Sequence, residues 1–322
     1  MNNHKLGRSV AEFAVVIPTK SRPMEIEGLL RHLNYSSPRP SLVVVVDSST
    51  DSRTEKVCRD SSLFKDGTLK LLRSSPGAGL QRNLGVSEVA RRGFGLVALI
   101  DDDVLPGSQF FGYCIDLHLE LGELSVVGGW DSACTPVRAS RIRHILGFGG
   151  RQMGFCLTRA GHAVYGDGRS SSRQIVDWLP GGMMFGPTQA FVENEYRSDF
   201  LIYGDDIDVS LRLRMAGYQL ATSDKLHVVH LASQIGKEID WRNHLGYFRF
   251  RFWLTSHPGS RVGAALVLIN TLVSILYFTI KGLLGDFPSF ARVGGDIVGV
   301  GEVLVGHSSP TGLPERPKSV SQ

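Results

Sequence analysis

Four short, mostly apolar runs recur along the first hundred residues, at 13–17, 42–46, 69–72 and 96–100, with Lys70 interrupting the third and polar stretches between them. Apolar runs of four or five residues read as strands buried on both faces, the pattern of a parallel sheet. Helical signals fill the gaps. Ile26, Leu29, Leu30 and Leu33 fall at i, i+3, i+4 and i+7 and form one apolar helical face. Pro23 suits the first turn of that helix, where its missing N–H costs nothing. Asp51 and its neighbouring hydroxyls are placed to cap the helix after the second strand. Pro76-Gly77-Ala78-Gly79 turns the chain into a helix over 80–92. Strands and helices alternating at this spacing predict βαβ units with right-handed crossovers and a parallel sheet. Neither G-x-G-x-x-G after the first strand nor G-x-x-x-x-G-K-[ST] is present, so the usual dinucleotide and P-loop phosphate cradles are missing.

The fourth run ends in Asp101-Asp102-Asp103. Carboxylates at such a strand end stand at the C-terminal edge of the sheet, where open α/β sheets bind ligands. Three adjacent acids repel one another, and a divalent cation with an oxygen-rich partner relieves that repulsion. Hard carboxylate oxygens suit Mg²⁺ or Mn²⁺. The plainer alternative is a solvated acidic turn.

Further on, residues 125–129 and 226–231 read as strands, the latter carrying His227 and His230. Residues 138–174, rich in Gly, Arg and Ser, read as a mobile loop. A helix runs from Asp205-Asp206 through Leu211 and Met215 to a C-terminal cap at Gly217. With 322 residues, 42% of them hydrophobic and 20% charged, the chain is globular, with one large domain and an appendage. A net charge of +4 is too small to argue for nucleic acid. Cys58, Cys114, Cys134 and Cys156 form no C-x-x-C pair and read as reduced, buried thiols of a cytosolic protein. Residues 1–12 form a polar extension without the apolar core of a secretory signal.

Residues 262–280 are uncharged and bracketed by Arg261 and Lys281. A run of this length is at the lower end of the ~17–25 residues that span a bilayer. Arg242, Arg249 and Arg251 precede it, mixed with Tyr247, Phe248, Phe250, Phe252 and Trp253, the composition of an interface anchor. Gly263, Asn270 and Ser274 fall near helical spacing, which also suits packing on protein. Membrane contact through residues 242–281 is therefore expected, peripheral or single-span. A second helical stretch covers 290–305, and 306–322 reads as a flexible tail.

Six motifs occur in order: Val16-Ile17-Pro18-Thr19, Val45-Val46-Asp47-Ser48-Ser49-Thr50-Asp51, Gly79-Leu80-Gln81-Arg82-Asn83-Leu84-Gly85, Asp101-x-Asp103, Pro180-Gly181-Gly182-Met183-Met184 and Gly204-Asp205-Asp206-x-Asp208. Each is short, but the ordered set resembles the family 2 glycosyltransferases of the GT-A fold, from residue 13 to about 233. The resemblance implies an α/β fold, a Rossmann-like, mostly parallel central sheet flanked by helices, with a helical C-terminal membrane-associated appendage. It implies a catalytic domain over 13–240, with a nucleotide-binding half (13–104) and an acceptor half (105–240). The membrane-associated region is then 241–305.

The resemblance also implies roles. Asp47 would bind the donor's nucleobase, with Val46 standing where the family often has a second acid. Pro18, Thr19, Arg82 and Asn83 would line the nucleotide and sugar. Asp101 would sit near the ribose and the metal, and Asp103 and His230 would ligate Mn²⁺ or Mg²⁺. Asp102 is counted with the donor site but has no task of its own. Asp206 would be the general base, with Asp205 beside it where the family has Glu, and Asp208 a helix cap. Trp178, Gly181 and Gly182 would contact the acceptor, and His227 has no role. The donor would be a UDP-, dTDP- or GDP-linked hexose or deoxyhexose, and the acceptor a glycan or lipid-linked molecule. The site of action would be the cytoplasmic face of the cell membrane, in envelope polysaccharide synthesis. Inverting transfer is a single displacement in which a carboxylate takes the acceptor proton and a cation offsets charge on the departing diphosphate. Arg249-Phe250-Arg251-Phe252-Trp253 does not match the Q-x-x-R-W of processive members, so one sugar per encounter is expected. Two rivals are a nucleotidyltransferase of related fold and a non-catalytic sugar-binding member. The first would need glycines that residues 18–23 lack, and the second would have lost Asp103 or Asp206.

Overall fold

The computed structural model describes residues 12–132, 155–165, 172–197, 204–231, 241–256 and 261–306. Its strands are β1 (Phe13–Thr19), β2 (Leu42–Asp47), β3 (Leu69–Arg73), β4 (Leu96–Ile100), β5 (Val104–Pro106), β6 (Ser125–Gly128), β7 (Trp130–Asp131), β8 (Cys156–Leu157), β9 (Ala163–Val164), β10 (Gln174–Ile175), β11 (Met183–Pro187), β12 (Gln219–Thr222) and β13 (His227–His230). The helices are α1 (Pro23–Asn34), α2 (Arg53–Asp60), α3 (Ser62–Lys65), α4 (Ala78–Arg91), α5 (Phe110–Leu121), α6 (Thr188–Glu193), α7 (Asp205–Met215), α8 (Trp241–Ser256), α9 (Arg261–Leu283) and α10 (Ser289–Leu304). The chain divides into two compact units. One comprises Met1–Ser132, Gly181–Glu195 and Lys225–Leu231; the other comprises Ala133–Pro180, Tyr196–Asp224 and Ala232–Gln322.

In the first unit the four apolar runs form the parallel sheet that their composition predicts. β4, β1, β2 and β3 are neighbours in that order, and every residue of β1 and β2 is buried. β1 extends two residues and β2 one residue beyond the apolar runs, which makes Thr19 and Asp47 direct neighbours at the sheet's C-terminal edge. β11 is a departure from a purely parallel arrangement. It pairs antiparallel with both β4 and β6. Its Met183-Met184-Phe185 run is buried like the others, so composition does not reveal its direction.

Directly after the acidic triplet the chain enters β5, where no strand is evident in the sequence. β5 pairs antiparallel with β13, and β7 pairs parallel with β13 on its other side. Strands of two or three residues are too short to show a period. Asp51 accepts the Arg53 N–H at 3.0 Å and also holds its guanidinium, while Ser52 occupies the N-cap position without a side-chain bond. α4 docks on β1 through Gly85, where an added Cβ would lie 2.3 Å from Val16 Cγ1.

The second unit contains the β8–β9 hairpin, the antiparallel pair β10–β12, α7 and three C-terminal helices. The hairpin corrects part of the loop reading for 138–174; residues 133–154 and 166–171 lie outside the described residues. α8, α9 and α10 pack together around Phe248, Phe252 and Val267, with the Phe248 ring against Gly299 and the Phe290 ring against Gly282. Among the described residues, α9 is the helix long and apolar enough to cross a membrane, with a mean hydropathy of 2.0.

Gly85→Ala should force α4 away from β1 and cost about 1–3 kcal/mol. Gly28→Ala, in α1 with nothing within 4 Å of the added carbon, should be neutral or gain about 0.5–1 kcal/mol. Denaturant unfolding of the two variants measures both.

Candidate active site

The C-terminal edge of the parallel sheet gathers the conspicuous acids of the first unit. Asp102 turns inward, with only 4% of its surface exposed. Thr19 Oγ1 donates to its Oδ2 at 2.7 Å, and Arg22 Nη1 donates to its Oδ1 at 2.8 Å. Burial pushes this carboxyl up to about 6, against the downward pull of the Thr19 hydrogen bond and the Arg22 charge. The middle acid thus ties the end of β1 to the turn after β4. Arg22 reaches one residue further and donates to Asp103 Oδ2 at 3.1 Å.

Asp103 faces His230. Asp103 Oδ1 and His230 Nε2 are 3.2 Å apart. The β5–β13 ladder sets this contact, because it pairs His230 with Val104, and the Leu231 N–H donates to the Asp103 carbonyl at 2.8 Å. The hydrogen bond that the imidazole donates to Asp103 raises its pKa, with burial opposing it. Among the described residues, no group of three His, Cys, Asp or Glu side chains comes together as a metal cage. The pair nevertheless fits an octahedral divalent ion. Ligands at ~2.1 Å on adjacent octahedral corners stand about 3 Å apart, and Mg²⁺-type sites use one or two protein ligands with water and substrate phosphates.

Asp101 takes a third direction. Arg82 Nη2, from the first turns of α4, donates to Asp101 Oδ1 at 2.6 Å. On the other side stands Gly182, where a Cβ would lie 2.2 Å from Asp101 Cγ. The Asp101 N–H donates to the Gly182 carbonyl at 3.2 Å. Gly182 thus gives Asp101 its place, and Asn83 lies half-buried beside Arg82.

Asp47 is fully buried and held from two sides. Its Oδ1 accepts the Ser49 N–H at 2.8 Å and the Ser49 hydroxyl, and the half-exposed Arg73 pairs with Oδ2. The Ser49 hydroxyl also accepts the Ser21 N–H at 2.7 Å, joining the loop after β1 to the loop after β2. Pro18 sits inside β1, opposite Val46. Gln81 is the brace beneath: its Nε2 donates to the carbonyls of Thr19 at 2.8 Å and Val46 at 2.6 Å.

In the second unit Asp205 and Asp206 open α7, both half-buried, and the Ile207 N–H donates to Asp206 Oδ1 at 2.8 Å. Asp208 is buried and bound by Arg212 at 2.7 Å, so it serves an ion pair within the helix as well as standing in its first turn. Burial pushes its carboxyl up, against the pull of Arg212. Trp178 has the placement of a core residue: it is 1% exposed, donates to the Cys156 carbonyl at 3.3 Å and is walled by Phe155 and Tyr165. His227 lies against Trp130 in the first unit, on the exposed side of β13.

The first unit therefore brings together Thr19, Asp101, Asp102, Asp103, Arg82, Gly182 and His230, with Asp47 held at the neighbouring strand end. Sequence reasoning assigned nothing to Arg22, Arg73 and Gln81. Arg22 precedes Pro23 and reads as a helix start, and Gln81 stands inside a motif already quoted.

No protein-family model matches the chain, and no curated protein matches it. Solved structures share its fold. The mannosyltransferase PcManGT from Pyrobaculum calidifontis, in complex with GDP-Man and Mn²⁺, matches at a TM-score of 0.52 and 15% identity, over 91% of this chain and 87% of that one. TarS 1–349 of S. aureus matches at 0.52 and 14% identity, over 92% and 83%. GalNAc-T7, solved with UDP, GalNAc and Mn²⁺, matches at 0.53 and 11% identity over 74% of this chain. The match covers 48% of GalNAc-T7, so this chain spans about half of its length. The chain has the mixed α/β fold of these glycosyltransferases.

Thr19→Val keeps the shape of the side chain and removes the donor to buried Asp102. A stability loss of about 1–3 kcal/mol is expected at pH 7, read from the urea midpoint against wild type.

Proposed function

We propose that the chain is a metal-dependent, inverting glycosyltransferase that moves one sugar from a nucleotide-diphosphate sugar to a hydroxyl of a glycan or lipid-linked acceptor. The observation that carries this reading is the contact of Asp103 with His230 at the sheet edge, 3.2 Å apart, on a fold shared with PcManGT and GalNAc-T7. Those two proteins were solved with Mn²⁺ and a nucleotide or nucleotide-sugar. Asp103 and His230 would hold Mn²⁺ or Mg²⁺, with Asp101 beside them. When bound, the ion supplies positive charge against the charge that develops on the diphosphate leaving group.

This chain's own residues account for the rest. Asp47, oriented by Ser49 and Arg73, faces the nucleobase. Arg82 and Asn83 flank the ribose and sugar, and Thr19 and Pro18 form the floor of the donor site. Asp206 takes the proton of the attacking hydroxyl, next to Asp205, with Gly181 and Gly182 lining the acceptor side. Residues 13–240 form the catalytic domain. The reaction would take place at the cytoplasmic face of the cell membrane; the apolar helix α9 supports membrane contact.

A panel of UDP-, dTDP- and GDP-sugars decides the reaction class, since sugar transfer or hydrolysis releases nucleoside diphosphate and nucleotidyl transfer releases pyrophosphate. Chelation should abolish turnover, with Mn²⁺ restoring it. Asp103→Ala should lose Mn²⁺-dependent donor binding in calorimetry; unchanged affinity with Mn²⁺ present would remove Asp103 from the metal site. Asp206→Asn should bind donor normally and lose about 10²-fold or more in kcat. Near-normal turnover would place the base elsewhere.

A further inference from the structure

We propose that α9 and α10 form a hairpin that lies in the plane of a lipid bilayer, its outer apolar face among the acyl chains, and does not cross it. This deepens the membrane contact proposed above for α9 and is independent of the sugar chemistry.

An amphipathic helix of a soluble domain turns its apolar stripe inward and its polar stripe to water. α9 is built the other way round. Apart from Val267, its buried residues are polar or glycine, namely Gly263, Asn270, Thr271 and Gly282, and the Ser274 hydroxyl donates to Asp296 of α10 at 2.8 Å. Ile269, Leu272, Leu276, Ile280 and Leu283 are exposed. These five follow steps of three and four residues, so they lie along one side of the helix. α10 repeats the inversion. Gly295 and Gly299 are buried, while Ile297 and Leu304 are exposed and Phe290 is partly so, its ring lying against Gly282. At the connection between the helices Leu284 and Phe287 are also exposed.

Charge points to lipid as the occupant. Residues 241–306 carry Arg242, Arg249, Arg251, Arg261, Lys281 and Arg292 against Asp286, Asp296 and Glu302. Each of the three acids is already engaged, with Lys281, Ser274 and Arg249 respectively. A segment with net positive charge and an exposed apolar face is what binds a bilayer containing anionic headgroups. The outer stripe of α9 carries no charged group that would fix the register of a protein partner.

Depth decides between lying and crossing. At about 1.5 Å per residue, α9 is about 34 Å long, enough for a ~30 Å hydrocarbon core. Yet Ser274, near its middle, is bonded to Asp296, and the Arg292 guanidinium stands 4.7 Å from the centre of the Phe278 ring. A transmembrane α9 would carry both charged groups toward the bilayer centre, where they are costly. In the plane, the same groups stay on the water side, away from the outer stripes, while both stripes reach hydrocarbon.

The test uses the full chain with vesicles of phosphatidylcholine alone and of phosphatidylcholine with phosphatidylglycerol. The chain should float with the vesicles, more completely when phosphatidylglycerol is present. Leu272→Asp/Leu276→Asp should lower the bound fraction by about tenfold or more with an unchanged thermal midpoint. Val262→Cys, Ile269→Cys, Leu276→Cys and Leu283→Cys are each labelled with a fluorophore on a Cys134→Ser background, since Cys58, Cys114 and Cys156 are buried. Quenchers placed at set depths in the lipid should report one shallow depth for all four. A depth that peaks at 269 and 276 and falls off at 262 and 283 would overturn the in-plane arrangement while leaving membrane contact intact. No flotation with either vesicle would overturn both. A vesicle-free dimer split by the double substitution would assign the face to a second copy.

Discussion

The hydrogen bond from Thr19 to Asp102 is the interaction on which the geometry of the candidate site depends. Asp102 is a buried carboxylate at the end of the central strand β4. Such a group is tolerated only with donors in place, and Thr19 and Arg22 provide them. With the middle acid turned inward, its neighbours must turn elsewhere. Asp101 goes to Arg82 and Asp103 to His230. Three adjacent carboxylates that would repel one another are thereby each given a cationic or donor partner, with Arg22 shared between Asp102 and Asp103. The strand end becomes a scaffold that sends three acids in different directions from one fixed point, with Asp103 as buried as Asp102 and Asp101 partly exposed.

Close backbone approach supports that scaffold from beneath. Because Gly85 lets α4 rest on Val16, Gln81 comes within reach of the Thr19 and Val46 carbonyls at the ends of β1 and β2. The same helix carries Arg82 to Asp101. Gly182, at the start of β11, clears the space into which the Asp101 side chain points. Substituents are thus absent at two positions so that a glutamine, an arginine and an aspartate can occupy defined places. The motif Gly79-Leu80-Gln81-Arg82-Asn83 is, in physical terms, one helix start doing two jobs, bracing with Gln81 and charge pairing with Arg82.

The parts of this architecture that were legible in the sequence are those written in local pattern. Valine-rich runs announce the buried parallel strands, and the acid triplet announces itself by position at the end of one. His230 was legible only through the resemblance, since nothing near it in sequence marks it. Its contact with Asp103 depends on a three-residue ladder between β5 and β13, and strands that short carry no periodicity. The direction of β11 was hidden for a related reason. A strand buried on both faces has the same composition whichever way it runs. Arg22 and Gln81 were hidden because their partners lie dozens of residues away, Asp102 for one and Val46 and Thr19 for the other. Asp102 itself was visible as an acid, but its task was not, because burial is a property of the packed sheet.

The C-terminal helices show the opposite case, in which pattern and packing must be read together. Gly263, Asn270 and Ser274 recur at helical spacing within an apolar stretch, which by itself fits both a membrane helix with small-residue packing and a core helix of a soluble domain. Packing separates the two. The polar stripe is consumed by α8 and α10, so the surface left over is the apolar one, and α10 adds exposed apolar residues of its own. Burying it in a protein core would require a layer that the second unit does not supply among the described residues. Placing α9 across a bilayer would submerge Asp296 and Arg292, which packing ties to its middle. The arrangement that satisfies both the apolar stripe and the charged groups on its far side is a hairpin resting at the lipid–water boundary, where one face meets acyl chains and the other remains with protein and water.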